Sequence, residues 1–207
     1  CMDAERYNLA YRVLTDLKRR GFVPNVRTFA TLMGGYAAVE DWAAFPKQLE
    51  NAHSAYTQLK QLLEGSPEPV REPRASFALY TVALYISILG KAGEYKRAFD
   101  VFHELDADGP LQPHPKVYSS LLCVLADRLD SAEAEQRQGT SIVAESLSDA
   151  KYVWRRQMRS LDRQPQHPID PRSVEAMIKV LSWGEPSDHE LMFDILRDIC
   201  GLPRPGE

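Results

Sequence analysis

Residues 78–105 read ALYTVALYISILGKAGEYKRAFDVFHEL, and this stretch decides the fold. Leu79, Val82, Ile86 and Leu89 recur at helical spacing and give one helix an apolar face. The run breaks at Lys91-Ala92-Gly93, where Gly93 can take the left-handed conformation that ends a helix without a Cβ penalty. A second amphipathic run follows, with Tyr95, Ala98, Phe99, Phe102 and Leu105 on its apolar side. Ala98 lets the two backbones approach, and Phe102, one turn on, fills the space beside it. A lone hairpin of this kind cannot bury its own apolar surface, so copies are expected on either side.

Upstream, residues 3–20 predict an amphipathic helix with Tyr7, Ala10, Tyr11, Val13, Leu14 and Leu17 inward. Lys18, Arg19 and Arg20 crowd its last turn, where cations complement the helix dipole, and Gly21 stops it. Pro24 separates this helix from the next, Asn25 is its natural N-cap, and Val26, Phe29, Leu32 and Met33 begin a new apolar face. A further helix is expected over residues 49–64. Residues 65–75, GSPEPVREPRA, read as a loop.

Downstream, residues 106–115 hold three prolines and predict a turn. Helices are expected over 117–129, 147–161 and 173–183, with a last one capped by Ser187 or Asp188 and reaching about Cys200. Residues 130–141, DSAEAEQRQGTS, lack aromatics and large aliphatics and read as a polar insertion. No strand pattern competes, and the fold class is all-α.

The composition narrows the function classes. The chain has 207 residues, 44% of them apolar, and a formal charge of −4 from well-mixed acids and bases. That balance gives no bulk attraction to nucleic acid or anionic lipid. Cys1, Cys123 and Cys200 form no CxxC pair, so neither a disulfide framework nor a thiolate metal site is expected. No apolar run approaches the roughly 20 residues of a membrane span. The opening CMDAERYNLAYRVL is already helical in pattern and uncapped, and the expectation is a segment of a longer protein.

The expected copies are visible. Ala10 is followed by Leu14 and Leu17, Ala55 by Leu59 and Leu62, Ala98 by Phe102 and Leu105, and Ala150 by Trp154 and Met158. The starts of the partner helices align at Val26, Leu79, Pro115 and Pro171. From Leu79 to Pro115 is 36 residues, and the longer flanking intervals contain the proline-rich and polar insertions. The pattern predicts a single helical-repeat domain over 1–207, an α-α superhelix, or right-handed solenoid, of helix-turn-helix repeats. Its parts are a half repeat (3–25), an expanded repeat (26–78), a standard repeat (79–114), a second expanded repeat (115–170) and a degenerate terminal one (171–200).

Gly21-Phe22-Val23-Pro24-Asn25-Val26-Arg27-Thr28-Phe29 resembles the junction between pentatricopeptide repeats. Gly90-Lys91-Ala92-Gly93, with Ala98 and Phe102, is similar to the centre of the same motif. The tetratricopeptide family is the near alternative, because Gly93-Glu94-Tyr95 with Ala98 also occurs in its hairpins. The pentatricopeptide resemblance implies a single-stranded RNA partner held along the first helices, and a role in mitochondrial RNA processing, stability or translation. By that resemblance Arg27, Tyr80, Lys116 and Arg172 would sandwich bases. Base edges would be met by Ala30 with Ala78, Ala83 with His114, and Ser119 with Asp170, Glu175 being the unpaired position of the last repeat. Only Ser119 with Asp170 is a base-reading pair of the family's kind, a purine-preferring one.

The same four residues also read as ordinary solvated side chains at helix starts. The basic clusters Lys18-Arg19-Arg20 and Arg155-Arg156 with Arg159 read as protein or RNA contacts, or as solvated faces. No motif for catalysis, phosphate binding or a metal is present: the histidines are dispersed, and HExxH, GxSxG and a Gly-rich phosphate loop are missing. No enzyme activity, cofactor, metal or small-molecule substrate is expected. Trp42, Trp154 and Trp183 read as packing residues. The other functional reading is a protein-interaction scaffold that holds a peptide or partner helix in the repeat groove.

Overall fold

The computed structural model describes residues 6–65, 74–105, 113–131, 140–163, 168–204 and 206. Among them are nine helices and no strand: α1 (Tyr7–Arg19), α2 (Val26–Ala37), α3 (Pro46–Glu64), α4 (Arg74–Lys91), α5 (Tyr95–Glu104), α6 (Pro115–Asp130), α7 (Thr140–Arg163), α8 (Pro171–Leu181) and α9 (Pro186–Cys200). The all-α expectation holds. The chain divides into two compact units, residues 1–117 and 118–207, with the division inside α6.

In the first unit the joints follow from local chemistry. Gly21 (φ +84°) ends α1 and Gly93 (φ +76°) ends α4, both in the left-handed region. At each joint the amide of the next residue bonds back five positions, Phe22 to Leu17 O and Glu94 to Leu89 O, which satisfies carbonyls the helix leaves open. Asn25 caps α2 as expected. Its Oδ1 accepts from the Thr28 amide at 3.0 Å while Thr28 Oγ1 accepts from the Asn25 amide at 3.3 Å, a reciprocal capping box. Asp41 shapes the next turn by accepting from the Ala43 and Ala44 amides, and Pro46 opens α3.

α4 is the centre of this unit and packs against α2, α3 and α5. Its expected face, Leu79, Val82, Ile86 and Leu89, is buried, and so are Ala78, Thr81, Ala83, Tyr85 and Ile88. A helix surrounded by neighbours needs an apolar circumference rather than a stripe. Ala98 and Phe102 of α5 are fully buried, as the hairpin reading requires.

Four expectations are corrected. α4 begins at Arg74, inside what reads as loop in sequence, because a proline run ends one element and permits the next to start directly after it. Val13 and Leu17 of α1 are exposed together with Leu9, and the buried face is the narrower set Tyr7, Ala10 and Leu14. α9 starts earlier than Ser187. Its N-cap is Glu185, and Asp188 sits at the third helical position with its carboxylate accepting from the Glu185 amide. Trp183 is 40% exposed in the turn between α8 and α9, whereas Trp42 and Trp154 are buried.

The second unit holds α7, α8, α9 and most of α6. α8 packs on α7 and α9. Gln157 of α7 donates to Ser173 Oγ of α8 at 3.1 Å, a buried polar bond between two helices. Ion pairs add to the apolar contacts: Arg128 with Glu145, Lys179 with Asp130, and Lys151 with Asp188. The insertion expected at 130–141 is also corrected at its ends, since Asp130 closes α6 and α7 opens at Thr140, ahead of the expected Leu147. Its middle, residues 132–139, and the turn residues 106–112 and 164–167 lie outside the described residues.

Candidate nucleic-acid interface

The face of α4 turned away from the core carries two large rings, Phe77 at 37% and Tyr80 at 41% exposure. Three residues apart on one helix, they are neighbours, with Cβ atoms about 5–6 Å apart. Each holds a cation from another helix. The Arg27 guanidinium, from the first turn of α2, lies 5.3 Å from the Phe77 centroid. The Lys116 ammonium, from the first turn of α6, lies 5.6 Å from the Tyr80 centroid. Three of the four residues expected to sandwich bases, Arg27, Tyr80 and Lys116, are thus drawn into one row through a fourth residue, Phe77.

The backbone explains the arrangement. The Asn25–Thr28 capping box fixes the first turn of α2 and so fixes where Arg27 leaves it. At α6, His114 Nδ1 accepts from the Lys116 amide at 3.3 Å and holds the start of that helix. On α4, Thr81 Oγ1 donates to the Phe77 carbonyl at 2.7 Å. Each ring–cation pair is worth about 0.5–1 kcal/mol at an exposed site. That is weak enough for a ligand to share the ring or take over the cation.

Asp170, Ser119 and Arg172 lie in the second unit. Asp170 caps α8, its Oδ1 accepting from the Arg172 amide at 3.1 Å. Ser119 is 4% exposed, so its hydroxyl sits inside the fold. The Arg172 side chain is exposed. Among the residues expected beside base edges, Ala78 and Ala83 are buried and Glu175 is exposed.

The clusters on other helices are engaged at the surface. Lys18 donates to Gln58 Oε1 at 2.9 Å, Arg19 pairs with Asp16, and Arg156 donates to the Tyr152 hydroxyl. No group of histidine, cysteine and carboxylates able to hold a metal occurs among the described residues, and no described helix is long and apolar enough to cross a membrane.

Sequence reasoning missed Phe77. It sits in the extra first turn of α4, ahead of the aligned repeat start, and an exposed phenylalanine after a proline-rich stretch carried the only signal. A second site was also unseen. His53 of α3 joins α4 and α5, its Nδ1 2.8 Å from the Tyr85 hydroxyl and its Nε2 3.2 Å from Glu94 Oε1. Tyr85 stacks on Tyr56 with centroids 4.2 Å apart. Beside it a crevice of about 450 Å³ separates α3 from α5, lined by Tyr56, Lys60, Arg97, Asp100 and Glu104 among others. Its charges are mixed and largely paired, as in Lys60 with Glu104 at 3.0 Å and Arg97 with Glu94 at 3.5 Å.

No protein-family model matches this chain, and no curated protein matches it at a significant level.

Proposed function

We propose that this chain is an RNA-associated helical-repeat module of pentatricopeptide type, its hairpins forming a right-handed solenoid that holds single-stranded RNA along the first helices. The observation that carries the reading is the row Arg27, Phe77, Tyr80 and Lys116. Rings hold bases by stacking, which every base can supply, and flanking cations meet phosphates. The buried Ala78 and Ala83, and the inward Ser119, leave few groups for reading base edges, so the module binds strands with little sequence preference. It acts by binding rather than catalysis, and the resemblance in its repeat junctions puts it in mitochondrial gene expression.

The test is a fluorescence-anisotropy titration of the chain with a labelled single-stranded RNA at two salt concentrations. Saturable binding that weakens with salt is the expected result. No binding at the lower salt ends the RNA reading.

A second reading, a protein-interaction scaffold, is favoured by one separate observation. Leu9, Val13 and Leu17 form an exposed apolar row at successive turns of α1. Val13→Glu with Leu17→Glu would abolish a protein contact made there and leave RNA affinity unchanged.

A further inference from the structure

We propose that Phe77 is a second base-stacking platform beside Tyr80, so that two successive nucleotides of a single-stranded RNA seat on one turn of α4. The inference rests on the RNA reading above and adds a residue that the repeat alignment does not supply.

Three observations lead to it. α4 is buried around most of its circumference, yet it leaves its two exposed large rings side by side. The core at that point is formed by the buried Ala78, Leu79, Thr81 and Val82, and the two rings stand at its edge with more than a third of their surface open. The two rings also carry cations from different helices, Arg27 from α2 and Lys116 from α6, so charge lies at both ends of the pair. A ligand that fits this row is planar at two neighbouring points and anionic beside each of them. Successive nucleotides of an unpaired strand have that pattern.

The two cations are suited to different parts of the task. A guanidinium is planar and weakly hydrated, so Arg27 can stay stacked over Phe77 while its edge donates to a phosphate. Lys116 is a compact charge on a flexible stem and can leave the Tyr80 face for a phosphate as a base arrives. Ala83, on the turn after Tyr80, offers no hydrogen bond to a base edge. The platform therefore reads the presence of two bases rather than their identity.

The experiment uses the whole chain and a labelled uridine-rich RNA. Phe77→Leu keeps an apolar side chain of similar bulk and removes the ring. About tenfold weaker binding is expected, the range for losing one base–aromatic stack, with the melting temperature nearly unchanged. An RNA of the same length carrying abasic sites should bind wild type and Phe77→Leu alike. Phe77→Trp gives a second readout, since a base stacked on the new indole quenches fluorescence beyond the change seen in wild type. Binding by Phe77→Leu equal to wild type, or a Phe77→Trp indole that RNA does not quench, overturns the platform while the RNA reading stands. Failure of the wild-type chain to bind RNA overturns both.

Discussion

His53 Nδ1 lies 2.8 Å from the Tyr85 hydroxyl, and the opposite ring nitrogen lies 3.2 Å from Glu94 Oε1. A carboxylate can only accept, so Nε2 carries the proton and Nδ1 accepts from the tyrosine O–H. One neutral imidazole therefore links α3, α4 and α5. Burial pushes the His53 pKa below its ordinary value, Glu94 acts in the opposite direction, and Arg97 adds to the depression. Burial likewise raises the Tyr85 hydroxyl to about 12, so it stays a donor at neutral pH.

The sign of the pH effect follows. With the folded pKa below the unfolded value near 6.5, the unfolded chain binds the proton first as pH falls. Stability from this group is complete above about pH 6.5 and declines as pH drops through the folded pKa, below which the loss levels off. Thermal melts from neutral to mildly acidic pH should show wild type losing more stability than His53→Gln. Parallel profiles for the two proteins would remove His53 as the origin.

Gly93 and Gly184 are both turn glycines, and they should fail for different reasons when replaced by alanine. At Gly93 (φ +76°) an added Cβ meets nothing within 4 Å, so the cost is conformational alone. Gly93→Ala should lose about 1 kcal/mol and Gly93→Asn less, because asparagine tolerates the left-handed region. At Gly184 an added Cβ would lie 2.5 Å from Asp188 Cβ. Asp188 accepts from the Glu185 amide at the start of α9 and pairs with Lys151, and burial of its carboxyl is outweighed by those partners, which hold its pKa below the ordinary range. Gly184→Ala should cost at least the roughly 1 kcal/mol of a lost cap. Asp188→Ala combined with Gly184→Ala keeps the Cβ of residue 188, so part of the clash remains and the double variant should be worse than Asp188→Ala alone. Urea denaturation measures all of these.

Phe102 and Trp183 separate what periodicity reads well from what it does not. Phe102→Ala empties a fully buried site and should cost about 3–5 kcal/mol. Trp183→Ala touches a residue left 40% exposed in a turn and should cost clearly less than Phe102→Ala. Equal costs in equilibrium unfolding would contradict the burial pattern.

The same contrast explains how much of the molecule was legible from its residues. Asn25, Gly21 and Gly93 were legible because a cap or a left-handed joint depends on the residue itself and its near neighbours. Ala98 and Phe102 were legible because their spacing repeats. Leu17 and Val13 were not, since periodicity gives the direction of an apolar face and leaves its width to whatever packs there. At α4 the prolines of residues 65–75 marked the end of one element and concealed the start of the next, and Phe77 went with that hidden turn. In the candidate site, Arg27, Tyr80 and Lys116 came from the repeat alignment. Their pairing came only from three dimensions, because Arg27 meets a ring 50 positions away in sequence.

The last prediction concerns the part the two cations play when RNA arrives. For single strands, each phosphate neutralised contributes about 0.7 to the slope of log affinity against log salt. A module of net charge −4 with few clustered cations should bind with a shallow slope. If Lys116 leaves the Tyr80 ring for a phosphate, Lys116→Ala should lower both the affinity and the slope, the slope by about 0.7. If Lys116 stays on the ring, affinity falls through lost support for Tyr80 and the slope does not move. The arrangement of a flexible ammonium over an exposed ring favours the first outcome for Lys116. For Arg27, which can stack and bond at once, Arg27→Lys should keep the slope but weaken binding, because the charge remains and the planar contact with Phe77 is lost. Titrations of the three proteins across a salt series, with melting curves as a check on folding, distinguish these cases.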